Sequence, residues 1–250
     1  MLKISRVSLV VLATSLLQAV LLPALLAAAP PKEAGKIVDA GTFSILVDGK
    51  RVGVETFKIQ DLGATNATSS QIKITGGSNK AEQSSVLTMN SAGELVRYVW
   101  KELSPGKAET TVEVTEKAVM QHITMANVKK PVDIPYMTSA STMVLDDNVF
   151  AHRQLLVWRF LRSSCGQKDG KQSCTPGKLG VLVPAQHVVA VVSVDFAGSE
   201  KLQYKGAERD VAHLKLTSDD LEWNIWVDPA DSYKILRITI PANKTEVLRD

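Results

Sequence analysis

Between about residue 40 and the C-terminus the chain repeats one pattern: short runs of alternating apolar and polar residues, divided by turns. Such alternation gives each strand one core face and one wet face. Phe43, Ile45 and Val47 set the first run, Asp48-Gly49 turns the chain, and 52–59 returns. An Asp-Gly between two such runs is a strong hairpin signal. Further strands are expected at about 69–75, 82–89, 94–103, 108–115 and 118–126, with turns at Gly76-Gly77, Ala92-Gly93 and Pro105-Gly106. In 94–103, Val96, Tyr98 and Trp100 fall on one face, and Arg97 and Lys101 on the other. The pattern resumes at about 179–184, 186–196, 200–206, 209–217, 221–227, 232–240 and 244–249.

One segment breaks the period. DDNVFAHRQLLVWRFLR, at 146–162, contains neither Gly nor Pro and reads as a helix. Asp146 or Asp147 is positioned to cap its start, and Arg159 and Arg162 suit its last turn. Val149, Phe150, Leu156, Val157, Phe160 and Leu161 form one apolar arc, with His152, Arg159 and Arg162 opposite. The run from Val188 to Val192 is apolar on both faces, which predicts cover on both sides, the helix being one candidate. Many antiparallel strands plus one helix predict a mainly β fold. The expected architecture is a strongly curved antiparallel sheet, a half-barrel or incompletely closed barrel, with one central α-helix in its concavity or mouth. A membrane-spanning barrel would need aromatic girdles, and aromatics make up only 5% of the chain.

The first 29 residues follow a different grammar. Lys3 and Arg6 precede a Leu-, Val- and Ala-rich run, and Ala27-Ala28-Ala29 supplies small residues. That order reads as a cleaved signal peptide over 1–29, with an uncleaved anchor as the alternative. Pro30 disfavours cleavage directly after Ala29, so Ala27 or Ala28 is the expected end. The full chain has 250 residues, a formal charge of +3 and a mean hydropathy of +0.03. Without Lys3 and Arg6 the balance is 27 basic against 26 acidic residues, or +1. Near-neutrality excludes a strongly basic nucleic-acid binder, and the apolar content excludes a disordered chain. A leader at 30–39 and one β-rich domain at 40–250 complete the organisation. The expected location is periplasmic or secreted, with membrane contact only through the signal segment.

Cys165 and Cys174 lie in the polar, Gly-rich stretch SSCGQKDGKQSCTPG. In an oxidising compartment they should pair. A metal site needs about four ligands, and no His or further Cys lies nearby. The sequence contains no G-x-S-x-G, H-E-x-x-H, G-x-x-x-x-G-K-[ST] or G-x-G-x-x-G motif. His122, His152, His187 and His213 are scattered, and each reads as a surface or structural histidine. Asp146-Asp147 reads as a helix cap and Asp219-Asp220 as a turn, not as calcium ligands. No catalytic residue, metal or cofactor is therefore expected, although a hydrolase site assembled only in space stays open.

Arg153 is the residue that least fits a bland reading. On the helical wheel it falls inside the apolar arc, where a cation is costly unless paired. It either snorkels, pairs with an Asp or Glu of the core, or points into a cavity under the helix, with Phe150, Val157 and Phe160 around it. There its planar fork would hold the anionic group of an otherwise apolar ligand. Trp226 shares the polar face of its strand with Glu222 and Asn224, opposite Trp223, and reads as a surface aromatic or a contact point. Asn66-Ala67-Thr68 and Asn243-Lys244-Thr245 match the glycosylation sequon, which matters only in a eukaryotic secretory pathway.

Three stretches carry a resemblance. The hairpin FSILVDGKRVGVETFKI, the central helix DDNVFAHRQLLVWRFLR and the closing strands LEWNIWVDPADSYKILRITIPANKTEVLR resemble uncharacterised bacterial periplasmic domains of unknown function. More distantly, the arrangement is similar to the half-barrel lipoprotein carriers of the bacterial envelope. The resemblance implies periplasmic location and a curved sheet; it brings no catalytic residues. A hydrophobic ligand follows only by analogy of fold. The leading expectation is an exported non-enzymatic carrier for a lipid or amphiphilic small molecule. The alternatives are an envelope interaction module and the spatially assembled hydrolase.

Overall fold

A computed structural model describes residues 35–250 except 77–79, 127, 129, 169–170 and 219–220. The signal-like segment 1–29, the first part of the leader, Gly77 and the Asp219-Asp220 turn lie outside the described residues. Eight strands come first: β1 (Lys36–Val47), β2 (Lys50–Asp61), β3 (Thr65–Ile74), β4 (Ala81–Asn90), β5 (Leu95–Ser104), β6 (Glu109–Val114), β7 (Val119–Thr124) and β8 (Val132–Tyr136). Then follow β9 (Met143–Val144), the helix α1 (Ala151–Ser164), and the hairpin β10 (Cys165–Lys168) and β11 (Lys171–Cys174). The chain closes with β12 (Gly177–Val183), β13 (Val188–Tyr204), β14 (Ala207–Ser218), β15 (Leu221–Asp228), β16 (Lys234–Ile240) and β17 (Thr245–Arg249).

Two meanders make one sheet. Its strand order is β8-β7-β6-β5-β4-β3-β2-β1-β17-β16-β15-β14-β13-β12-β9, fifteen strands in all, and only β9–β12 is parallel. The seam is β1 against β17, the first strand against the last. Arg249 locks it with both arms of its guanidinium on buried Asp39, at 3.1 and 2.5 Å. A two-pronged ion pair fixes geometry as well as adding energy.

The sheet curls but is not closed by strand pairing. Its two ends are β8 and β9, which six intervening residues connect. Seven Cα steps reach at most about 25 Å, so the gap is short. Gln121 on β7 crosses it, donating to Pro184 O at 3.0 Å and accepting from Tyr136 Oη at 2.6 Å. This is the expected incompletely closed barrel.

The helix fills the interior. Seven consecutive residues, from Ala151 through Val157, are buried. At 3.6 residues per turn that run faces every direction, so the sheet surrounds the helix for nearly two turns. Inward positions on β1 and β2 supply Phe43, Ile45, Phe57 and Ile59; β14 to β16 supply Leu214, Leu216, Ile225 and Ile238. No helix among the described residues is long and apolar enough to cross a membrane.

Local chemistry explains the turns. Asp48 (φ 53°) and Gly49 (φ 74°) both take left-handed backbone between Val47 and Lys50, the twist a two-residue hairpin needs. Three later connections repeat Pro-Ala-x: Pro184–Gln186, Pro229–Asp231 and Pro241–Asn243 each form a short 3-10 turn. Proline presets φ at the start of each. Left-handed His187, Ser232 and Lys244 follow.

Several expectations need correction. The helix starts at Ala151, not Asp146, because the Asp146 carboxylate accepts the Asn148 N–H and holds 146–148 in a turn. His152 is fully buried, since the helix has no wet side at that depth. Val96 is exposed and Leu95 faces the core, because a bulge between Thr88/Met89 and Arg97/Leu95 shifts the phase. The runs at 186–196 and 200–206 are one strand, β13; Gly198 (φ 136°) absorbs a bulge without ending it. Cover on 188–192 is one-sided and reaches only its inner end: on the inner face Val188 is 40% exposed and Val192 3%, whereas Val189 and Val191 stand at 43% and 60% on the outer face. Lys36 to Asp39, assigned to the leader, belong to β1. The polar stretch around the cysteines is itself a hairpin, β10–β11, in which Cys165 and Cys174 pair across the strands and form a disulfide.

Candidate functional site

The helix enters the barrel through a buried polar cluster. Glu55, fully buried on β2, accepts the Phe150 N–H at 2.7 Å, the Ala151 N–H at 3.2 Å and the Ser70 hydroxyl at 2.6 Å. The first N–H groups of a helix have no partner within it. Here a carboxylate from a strand 95 residues away supplies one, in place of the expected Asp146 or Asp147. Asp146 instead accepts the Tyr98 hydroxyl at 2.8 Å, and its own N–H donates to His152 Nδ1 at 3.2 Å.

Arg153 lies at the centre of this cluster, 1% exposed. Its Nη1 donates to the carbonyls of Asp146 and Val149, the latter at 2.7 Å. Its guanidinium stacks on Trp223 with Cζ 4.1 Å from the ring centre. A desolvated cation over an indole face is among the stronger contacts of its kind. Arg153 Nε has no hydrogen-bond partner among the described residues. Arg153 thus fastens the 146–149 turn to the helix and to β15.

Burial sets the protonation pattern. It pushes the Glu55 carboxyl up to about 7, against hydrogen bonds from Ser70, Ala151 and Phe150 and the charge of Arg153. It pushes His152 down to about 3, aided by the Arg153 charge, so the imidazole is neutral and Nδ1 is free to accept. It also lowers Arg153 to about 10, while the charges of Asp147, Asp146 and Glu55 work to raise it.

Outside this cluster two cavities open beside the helix start. The first, about 390 Å³, is walled by Ile45, Val52, Ile72, Phe150 and Ile240. The second, about 270 Å³, is walled by Leu145, Val181, Val192 and Leu216, with Arg153 at its side. Asp147, Gln186, Leu221 and Trp223 line both, so the two are lobes of one groove. Phe150 and Trp223 both face the Arg153 guanidinium, whose Cζ lies 5.7 Å and 4.1 Å from their ring centres, and the two rings are 6.4 Å apart. Across the rim, Gln186 Nε2 donates to Asp147 Oδ2 at 2.6 Å. Gln186 and Asn243, each the third residue of a Pro-Ala-x turn, place amides on the same groove. Branched aliphatic walls with a few convergent polar groups are the usual make-up of a small-molecule site.

The four candidate residues separate. Phe150 lines the first lobe and Arg153 the second. Val157 and Phe160 are fully buried in the core and line neither; Gly177 on β12 leaves room for the Phe160 ring. Trp226 is sandwiched on the outer face, 4.7 Å from His213 and 5.0 Å from the Arg237 guanidinium. The hydrogen-bond partners of the other histidines are Asp133 for His122, Gln121 for His187 and Asn224 for His213. Among the described residues no three His, Cys, Asp or Glu side chains gather as a metal site would require.

Neither Glu55 nor Gln154 stands out in the sequence, and Trp223 does so only as the inward residue opposite Trp226. Glu55 had a readable signal, for it shares the inward phase of β2 with Phe57 and Ile59. Gln154 had none. Its amide donates to Tyr233 O at 2.9 Å and accepts from Ile235 N at 2.7 Å, serving backbone groups about 80 residues distant. No protein-family model, no curated protein and no solved structure matches this chain.

Proposed function

We propose that the protein is an exported, non-enzymatic binding or carrier protein of the bacterial envelope whose ligand is amphiphilic. The apolar chain lies in the two-lobed groove and the polar group at the Asp147–Gln186 rim, with Arg153 flanking the second lobe. The observation that carries this reading is an aliphatic groove beside a helix start that is otherwise packed and hydrogen-bonded. The groove stays open where the helix already plugs the rest of the barrel. Periplasmic residence is supported by the signal-like 1–29 segment and the Cys165–Cys174 disulfide. The resemblance to half-barrel carriers adds support at the level of fold alone.

The test is native mass spectrometry and lipid extraction of protein purified gently from the periplasm, paired with titration of dansyl-labelled undecanoic acid. A bound small molecule is expected, as is dansyl emission that rises on binding. Leu221→Glu, at a half-open position on the rim, should weaken the probe without lowering the melting temperature. Recovery of no small molecule together with no probe binding refutes the reading.

One observation favours a second reading, an interaction module. β13 outruns β12, whose pairing ends at Val194, so residues 195–204 pair with β14 alone among the described residues. An open strand edge can take an added strand from a partner. Loss of a periplasmic partner on Ser199→Pro, with the groove probe still bound, would favour it.

A further inference from the structure

A third cavity, about 230 Å³, lies at the far end of the helix. Phe150 and Arg162 are twelve residues apart, or about 18 Å along the axis, so this cavity is distinct from the groove. Its floor is apolar: Ile59, Met89 and Leu155 are all buried. Trp158 walls it, held by an indole N–H donated to Ser232 O at 2.8 Å.

Two guanidinium groups stand over that floor, from Arg159 and Arg162, one helical turn apart. Arg159 Nη1 donates to Ser141 O at 2.7 Å. Arg162 lies across Gly93, where a Cβ would meet its Nη2 at 3.3 Å. Neither forms an ion pair with a carboxylate among the described residues. Glu94 is the nearby acid, and its carboxylate accepts the Asn90 amide at 2.8 Å. Burial lowers the Arg159 pKa, the Arg162 charge lowers it further, and Glu94 opposes both. The C-terminal carbonyls of a helix favour a cation nearby, which accounts for a basic residue at this end. They do not account for an apolar floor beneath two forks whose donors are mostly unused.

We infer that this cavity is a binding site for a small amphipathic carboxylate, its chain on the Ile59–Met89–Leu155 floor and its carboxylate on Arg159 and Arg162. Guanidinium forks match a carboxylate two donors at a time. The volume is below the usual range for drug-sized ligands, which restricts the chain to a short one. The site is independent of the groove and of the function proposed for it.

Octanoate is the probe, and the full exported chain is the protein. The Trp158 indole proton is followed by nuclear magnetic resonance, assigned with Trp158→Phe, with the Trp223 indole as reporter of the groove. Octanoate should move the Trp158 resonance saturably. Octanol, of the same length without the charge, should bind about tenfold more weakly, equivalent to about 1.4 kcal/mol. Arg162→Gln, at an exposed position, should weaken octanoate by a similar factor with an unchanged melting temperature. The inference is overturned if Trp158 does not respond, if Trp223 alone responds, if octanol binds as tightly as octanoate, or if Arg162→Gln titrates like the parent.

Discussion

Replacing Glu55 by Gln tests how the helix is held in the barrel. The parent carboxylate takes three donors: Phe150 N–H, Ala151 N–H and the Ser70 hydroxyl. Glutamine keeps the shape but offers one acceptor oxygen, so its NH₂ must confront a remaining N–H. One unmade buried hydrogen bond costs about 1–3 kcal/mol. The pH dependence is more diagnostic. The folded carboxyl titrates at about 7 against a reference of 4.5, so the native state binds the proton more readily than the unfolded chain. Stability from this group is therefore complete below pH 4.5 and is lost as pH rises to 7. Two and a half pH units correspond to about 3 kcal/mol. Gln cannot titrate, so the parent's advantage over Glu55→Gln should shrink by about that amount between pH 4.5 and pH 8. Urea denaturation of both proteins, followed by circular dichroism at each pH, measures the gap, and other titrating groups cancel in the difference. A gap that stays constant, or widens toward pH 8, refutes the reasoning. Widening would mean that the three donors outweigh desolvation and hold Glu55 ionised.

His152 should act in the opposite direction: held neutral down to about pH 3, it makes stability fall as pH drops below 6.5, by about 2 kcal/mol at pH 5. His152→Asn retains an acceptor for Asp146 N–H, and its urea midpoint should lose that part of the acid sensitivity. Arg153→Met should destabilise the fold by about 3–5 kcal/mol, because it removes the charged donor from the Asp146 and Val149 carbonyls and leaves the buried Asp146 carboxylate without its cation; thermal melting checks this, and an unchanged melting temperature would return Arg153 to a purely ligand-facing role. Cys165→Ser with Cys174→Ser should cost about 2–3 kcal/mol by loop-closure entropy, read as a lower urea midpoint that reductant lowers no further.

The Asp48-Gly49 hairpin was legible because the backbone preference of two adjacent residues decides it. The helix was legible as an element because 146–162 lacks breakers and changes period. Its starting residue was not, because Glu55 and Asp146 compete for roles that depend on where β2 lies. His152 falls opposite the apolar arc on a helical wheel, which assumes one wet side, whereas this helix is enclosed and His152 is the structural histidine of the two readings. Apolar character at Val189 and Val191 does not imply cover, because at this place β13 presents its outer face to solvent. The recurrent Pro-Ala-x turns were readable and were missed; two of them build the groove rim.

The sequence by itself therefore determined most of the strands, though not β8, β9 or the β10–β11 hairpin, together with most of the turns, one helix and the disulfide partners, all governed by residues within about ten positions of one another. Tertiary structure decided how far the sheet curls, that the helix lies inside it, which carboxylate caps that helix and where the groove opens. Those outcomes depend on burial, and burial is a property of contacts such as Glu55 with Phe150, or Asp39 with Arg249, that no local window contains.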